Sequence, residues 1–500
     1  MNDASPAEPF GPCRARLEML VGYLEGEGAA AASHAELEKR VSLDGREVLR
    51  LALQGHLDLR AESEVRIEEV KDSTGMARAS VEAGHERVLA TVFGEVTVAR
   101  LAFRRRSCPN LHPADASLNL PAERYSHGLR ELAAIEAARG SFDGVVEAIG
   151  RASGQHLGKR QVEELAARAA VDFEAFYAQA RRPEAEPTDV VVLSADGKGI
   201  VMRPGALRPA TAKAAATAVP KLATRLSKGE KANRKRMATV GAVYDLTPIP
   251  RAPADILARG GGTSAPPAPA PVAKGKWLMA SVENDAATVV AQVFDEAERR
   301  DPDHRRPWVA LVDGNNHQID RVKAEAKDRE VEVTVIVDLV HVLEYLWGAA
   351  WCFFAEGDAG AEAWVGDKAL AVLNGQASTV AASIRRKATC RRLDPGKRAK
   401  ADTCADYLLR KRPYLDYPSA LAEGGQSPPA SSKGACRHLV KDRMDVTGAR
   451  WSVAGAEAVL KLRALRANDD FPAYWQFHLS QEEQRVHHAR YADNVIPTAA

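Results

Sequence analysis

From about residue 14 to 100 the apolar residues of "RLEMLVGYLEG" and "SHAELEKRVSLDGREVLRLALQGHLDLRAESE" recur every three to four positions, the stripe of helices that bury one face. "RVLATVFGEVTVARLAFRRR", residues 87–106, then alternates in steps of two around Gly94 and predicts a hairpin with a basic end. Helical spacing returns from residue 129. In "SFDGVVEAIGRASGQHLGKRQVEELAARAAVDF" (141–173) Ser141 has N-cap chemistry and Gly154 C-cap chemistry. The second helix of that pair carries Lys159 and Arg160 at its start and turns Val162, Leu165 and Ala166 inward. Such spacing suits a helix-turn-helix, whose second helix enters the major groove, and it equally suits a plain helical hairpin.

After the charged linker "RRPEAEPT" (181–188) the period changes to that of strands. The runs "DVVVLSADG", "RMATVGAVYDL", "KWLMASV", "PWVALVDG" and "VEVTVIVDL" follow in order. A helix is predicted between the third and fourth, where Val289, Val290, Val293, Phe294 and Ala297 form one apolar stripe. A more polar one, "QIDRVKAEAKDRE", separates the fourth from the fifth. Three strands, helix, strand, helix, strand predicts a mixed sheet: an antiparallel meander continued in parallel through helical crossovers. Residues 203–235, rich in Ala, Lys and Arg, and the low-complexity "RGGGTSAPPAPAPV" (259–272) interrupt it. Beyond residue 338 the pattern is helical for more than a hundred residues, breaks at "SPPASSKG", and resumes in "RWSVAGAEAVLKLRALRANDDFPAYWQFHL" as a capped amphipathic helix. The tail after 481 reads as polar and loose.

Composition narrows the class. The 500 residues are 45% hydrophobic and 27% charged, which predicts a soluble globular chain of more than one domain. The N-terminus lacks the basic start and apolar run of a secretory signal, and no stretch is long and apolar enough for a membrane span. Six scattered cysteines without a CxxC pair fit a reduced cytoplasm rather than a disulfide framework. Cys108 and His112 could make half a zinc site, but no second half is visible.

The chemistry lies in the acids. Asp196 and Asp313 each stand at or near the end of a strand and precede a glycine, on the first and fourth strands. Asp-Gly is a favoured turn pair, so either alone reads as a turn. In the predicted topology, however, the first strand is central and the fourth lies beside it, bringing both carboxylates to one edge. Paired carboxylates repel unless they share a cation, and Mg²⁺ or Mn²⁺ prefers oxygen ligands. Two such ions about 4 Å apart serve in-line displacement at phosphorus. For a third acid, Asp338 ends the fifth strand or caps the next helix, and with His341 it can support the site. Glu344 lies in that helix. Glu457 lies near the start of a late helix, where Ala454, Gly455 and Ala456 allow close approach to a sheet. Residue chemistry alone does not separate Glu457 from Glu344.

The strand order, the two strand-end aspartates and the phrases "SADGKGIVMR", "KRMATVGAVYDLTPIPR", "LVDGNNHQ", "IVDLVHVLEYLW" and "NDDFPAYWQFH" resemble DDE transposases of bacterial insertion sequences, in particular the ISKra group. The resemblance spans roughly residues 95–480. It implies an α/β fold with an RNase H-like mixed-sheet catalytic core and a helical insertion before the last catalytic helix. A mainly helical N-terminal DNA-binding region would precede that core. It assigns the catalytic, metal-binding triad to Asp196, Asp313 and Glu457, with Mg²⁺ or Mn²⁺ as cofactor. Glu457 stands 144 residues after Asp313, a distance the helical insertion accounts for; if the insertion is placed differently, Glu344 takes the role. The partners implied are DNA, as terminal inverted repeats and as target, and at least a second copy of the chain on DNA. No membrane partner is implied, and the setting is the bacterial cytoplasm, at the nucleoid.

Local charge then acquires a meaning. In 221–236, Lys221, Arg225, Lys228, Lys231, Arg234, Lys235 and Arg236 face one acid, and in 385–400, Arg385, Arg386, Lys387, Arg391 and Arg392 head a second dense run. With a net charge of only +2, such clusters suit localised phosphate contacts, or merely a solvated face. The chain divides into 1–106, a DNA-binding 107–182, a core over 183–350, an insertion over 351–449, a final core helix over 450–480 and a tail over 481–500. The rival readings are an RNase H-like nuclease or resolvase without strand transfer and an inactive DNA-binding relative.

Overall fold

The computed structural model describes residues 8–498 apart from 181, 183–184, 219–220, 223, 226, 228–232, 258–269, 425–433, 435 and 447. The chain forms two units, Met1–Ala178 with Asp470–Ala500 and Gln179–Asp469. In the first, α1 (Gly11–Glu25) packs on α2 (His34–Glu62), which starts at a Ser33–Glu36 capping box. The hairpin expected around Gly94 is present as β1 (Ser80–Thr91) and β2 (Gly94–Arg104). Its Leu89, Val96 and Val98 bury against Leu57 of α2 and Leu120. Next come α3 (His127–Arg139), α4 (Phe142–Ser153) and α5 (Lys159–Arg168). The Ser141 hydroxyl accepts from Gly144 N–H at 3.1 Å, and Gly154 ends α4 at φ 70°. Val162, Leu165 and Ala166 are buried, as their spacing predicts. Ala133, Ala134, Ala137 and Ala138 line the buried face of α3, and their small side chains let α4 and α5 pack against it.

The second unit is mixed α/β, built on one five-stranded sheet. β3 (Val190–Val201), β4 (Lys235–Leu246) and β5 (Ala273–Ser281) are antiparallel neighbours. Helix α6 (Ala286–Arg300) crosses to β6 (Trp308–Val312), and α7 (Asn316–Asp328) crosses to β7 (Val333–Val337). The order β5-β4-β3-β6-β7, with β3, β6 and β7 parallel, is the meander-plus-crossover arrangement that the hydrophobic pattern predicts. All five residues of β6 are buried, as befits an inner parallel strand. The predicted stripe of α6 is buried, with Asp285 capping Thr288 N–H at 2.9 Å. α6 approaches β4 so closely that a Cβ on Gly241 would lie 2.5 Å from the Val293 side chain.

One boundary differs from expectation. β3 does not stop at Asp196 but runs to Val201, because β4 stays paired with it as far as Lys235. Gly197 and Gly199 are therefore strand residues rather than turn residues. Added Cβ atoms there would come within 3.0 Å of Met237 and 2.9 Å of Lys235, whose side chains lie across them.

Helices α8 (Leu339–Ala350), α9 (Ala359–Leu373), α10 (Ala377–Cys390) and α11 (Pro395–Lys411) follow the sheet, and α12 (Val453–Ala467) packs on β5. The single helix expected over 451–480 is two. The chain breaks at Asn468 and Asp469, the latter at φ 59°, and α13 (Phe471–Val486) belongs to the first unit. The tail is not loose either: His487 and Tyr491 are buried, and Tyr491 bridges to Asp72. Among the described residues no helix is long and apolar enough to cross a membrane, and all six cysteines are free thiols. The proline-rich run 259–272 falls largely outside the described residues.

Within the first unit α13 is held by buried charges. His478 shares a hydrogen bond with Asp172 at 2.7 Å, Arg485 donates to Asp172 at 2.9 Å, and Arg130 ion-pairs with Glu482 at 2.6 Å. Arg130 is 2% exposed, so removing Glu482 leaves a buried guanidinium with only the longer contact to Glu123 at 3.9 Å as counter-charge. Glu482→Ala is expected to cost about 3–5 kcal/mol in urea unfolding; a loss below about 1 kcal/mol would show that the pair carries no more than a surface bridge does.

Candidate active site

The register of the parallel strands aligns the acids. β3 pairs with β6 from Val191–Trp308 to Ser194–Leu311. Extended by two residues, the same offset sets Asp313 level with Asp196. The β6–β7 register, Trp308–Val333 to Val312–Val337, sets Asp338 level with both. Side chains alternate along a strand. Gly241, the partner of Ala195, faces α6, so Ser194 and Asp196 face the opposite side of the sheet. That side carries α12 and the short π-helix Cys436–Lys441.

Where β6 leaves the ladder, Gln318 takes over. Its side-chain amide donates to the Ala195 carbonyl, and its oxygen accepts Asp313 N–H at 3.2 Å. One Asp313 carboxylate oxygen accepts from Asn315 N–H at 2.7 Å. Gly314 turns at φ 87°, and a Cβ there would lie 2.6 Å from the Tyr407 hydroxyl. That hydroxyl donates to the Asp313 carbonyl at 3.0 Å. Asp196 is half-buried and accepts from Gly197 N–H at 2.6 Å and from the Cys436 thiol. Burial raises the Asp196 carboxyl above its ordinary value, and the Asp313 charge adds to this; the Cys436 and Gly197 hydrogen bonds and nearby His341 oppose it. The Cys436 thiol is itself pushed up by burial and by Asp196.

Asp338 caps α8, accepting from Val340 N–H at 3.0 Å, which is the helix-cap role open to it from sequence. His341 lies 3.5 Å from Glu344, whose side chain is 57% exposed. Glu457 is buried on α12, on the same side of the sheet as Asp196, and Gly455 and Ala456 are buried beside it. Its carboxylate accepts from Val282 N–H at 2.8 Å and Glu283 N–H at 3.1 Å. Those amides follow β5, two strand spacings from β3, or roughly 10 Å. Among the described residues no three His, Cys, Asp or Glu side chains converge on a point that could hold one metal ion. Asp196 and Asp313 are thus brought together, and Glu457 is engaged elsewhere. The pair fits a hard divalent cation: two carboxylates at one level, one of them raised by burial and further by its neighbour's charge.

The predicted DNA-contacting cations are distributed unevenly. Lys159 pairs with Asp143 at 2.7 Å and Arg160 with Glu164 at 3.0 Å, both at the surface. Lys228 and Lys231 lie outside the described residues. Arg234 is half-buried before β4, and Lys235 pairs with Asp445 at 2.8 Å. Arg236 donates to the Val282 and Glu283 carbonyls at 2.8 and 3.2 Å, bracing the turn whose amides hold Glu457. Arg385 pairs with Asp406 and Arg391 donates to the Phe353 carbonyl. Lys387 sits 4.6 Å from the Phe354 ring centre and 5.4 Å from that of Trp364. These three serve contacts among the helices that follow the sheet, while Arg386 and Arg392 remain exposed.

Sequence reasoning does not reach Cys436, Tyr407 or Lys411, which carry no motif. Gln318 closes the quoted "LVDGNNHQ", but its role in tying Asp313 to β3 comes only from the structure. Cys108 and His112 gather no further ligands; the His112 ring is bonded to the Leu101 carbonyl at 3.0 Å. No family model matches the sequence, and no curated protein matches it.

Because the folded chain raises Asp196 above the ordinary carboxyl value of 3.8, it holds that proton more tightly than the unfolded chain does. Stability from this group is present below the unfolded value and lost as pH rises through the folded one. Asp196→Asn is therefore expected to raise the melting temperature near neutral pH and to lose that advantage below about pH 4. An equal shift at both pH values would contradict the desolvated carboxylate.

Proposed function

We propose that this protein is a DNA transposase of the DDE type, with an RNase H-like core that cleaves at element ends and joins the 3′-hydroxyl to target DNA. The observation that carries the reading is the register placing Asp196 and Asp313 level on adjacent strands, one antiparallel meander away from a buried glutamate on a late helix. The strand order, three antiparallel strands followed by two parallel ones, supports the same core. Asp196 and Asp313 would hold Mg²⁺ or Mn²⁺; for Glu457 to serve as the third donor, its carboxylate has to leave the Val282 and Glu283 amides it accepts from here. When bound, such ions activate a water or 3′-hydroxyl and stabilise the leaving oxygen. The chain's own residues do the positioning: Gln318 locks Asp313 to β3, Tyr407 fixes the Asp313 backbone, and the Cys436 thiol orients Asp196. The helical pair α4–α5 is the candidate reader of element ends, and two copies bring two ends together. The setting is the bacterial nucleoid.

Asp196→Ala and Asp313→Ala are each expected to reduce metal-dependent cleavage and strand joining to the uncatalysed background while leaving DNA binding nearly intact. Cleavage retained by either variant would overturn the assignment. A pre-cut terminal repeat offered as substrate separates a transposase, which joins it, from a nuclease, which does not.

A further inference from the structure

A cavity of about 750 Å³ opens beside Asp313, between the first turn of α7, helix α8 and the end of α11. One side carries Asp313, Glu344 and His341, and the other Thr403, Arg410 and Lys411, with Tyr345 and Tyr407 between them. The two tyrosines are stacked at 3.8 Å. Lys411 is the anomaly. It is 7% exposed, and its ammonium donates to the Asn316 amide oxygen. Among the described residues no carboxylate stands within ion-pairing reach of it. Its place at the C-terminal end of a helix contributes about 0.3–1 kcal/mol. Burying an ion costs several kcal/mol unless a counter-charge and further hydrogen bonds offset it. An amide oxygen is not a counter-charge, so a buried cation facing an open cavity calls for an anion.

The anion's class follows from its surroundings. The exposed Arg410, whose contact with Asp406 is long at 4.0 Å, adds a second cation to the same space, and Thr403 lines it with its hydroxyl donating to the Ala399 carbonyl at 2.8 Å. An aromatic wall suits a planar base. The volume accommodates one nucleotide and excludes a duplex about 20 Å across. We propose that Lys411, with Arg410, holds the phosphate of an unpaired strand-end nucleotide, leaving the adjoining phosphodiester next to Asp313. The choice of a DNA strand rather than a free nucleotide rests on the function proposed above; the anion site itself rests on Lys411.

Calorimetric titration of the full chain tests this with thymidine 5′-monophosphate, thymidine and a short oligothymidylate. The monophosphate is expected to bind more tightly than the nucleoside, and the oligonucleotide to compete with it. Lys411→Gln should weaken both phosphate-bearing probes about 10- to 100-fold, the loss of a charge-assisted hydrogen bond. Lys411→Arg should restore most of the binding. Arg410→Gln, at an exposed position that does not threaten the fold, should weaken it in the same direction. Lys327→Gln, a surface cation elsewhere on α7, should change nothing. The proposal falls if Lys411→Gln and Arg410→Gln bind as the parent does, if thymidine binds as well as its monophosphate, or if the oligonucleotide fails to compete. Lys411-dependent competition that persists while Asp196→Ala still cleaves DNA would uphold this site and remove the catalytic assignment instead.

Discussion

Two carboxylates held side by side where β6 parts from β3 set the demands on the rest of the second unit. Burial raises the Asp196 carboxyl above its ordinary value, and the like charge of Asp313 adds to this. The arrangement persists because the backbone around it is over-determined. β4 remains paired with β3 through Asp196, and Gln318 replaces the ladder bonds that β6 no longer supplies. Tyr407 fills the space over Gly314 and bonds the Asp313 carbonyl. β4, Gln318 and Tyr407 thus converge to hold a geometry that is electrostatically unfavourable by itself.

The same logic explains where the positive charge goes. At the end of α10, Arg385, Lys387 and Arg391 serve internal contacts, including an aromatic cage around Lys387. A dense basic run in sequence is therefore not a dense basic patch in space. The cations that share a cavity with Asp313, Arg410 and Lys411, end a different helix and belong to neither of those two runs. Charge is balanced across that cavity, with Asp313 after β6 and Glu344 on α8 as the acids, the cations on α11, and aromatic rings between.

Glu457 shows how tertiary forces settle what a side chain bonds to when its sequence context leaves that open. The small residues before it let α12 lie close on β5, as the sequence suggests. Its carboxylate then meets the free amides of Val282 and Glu283, a turn that Arg236 braces from the carbonyl side. Charge-assisted bonds to two backbone N–H groups are strong. They compete directly with any shift of Glu457 toward Asp196.

Period and capping chemistry were sufficient for much of the fold. The hairpin at Gly94, the α4–α5 pair with its Ser141 and Gly154 ends, the stripe of α6 and the order of the five strands were all legible, because each depends on neighbours within about twenty residues. The pairing of Asp196 with Asp313 was legible too, since a central first strand flanked by the fourth follows from the order of elements. The chain by itself left undecided what depends on distant partners. β3 continues past Asp196 only because β4 does, and the helix expected over 451–480 divides because its second half finds buried charges in the first unit. Lys411, Cys436 and Tyr407 join the site from segments about 95 to 240 residues away from the acids they meet, beyond the reach of any local pattern. Periodicity reports which face of an element is buried; only the packed structure decides what that face is buried against.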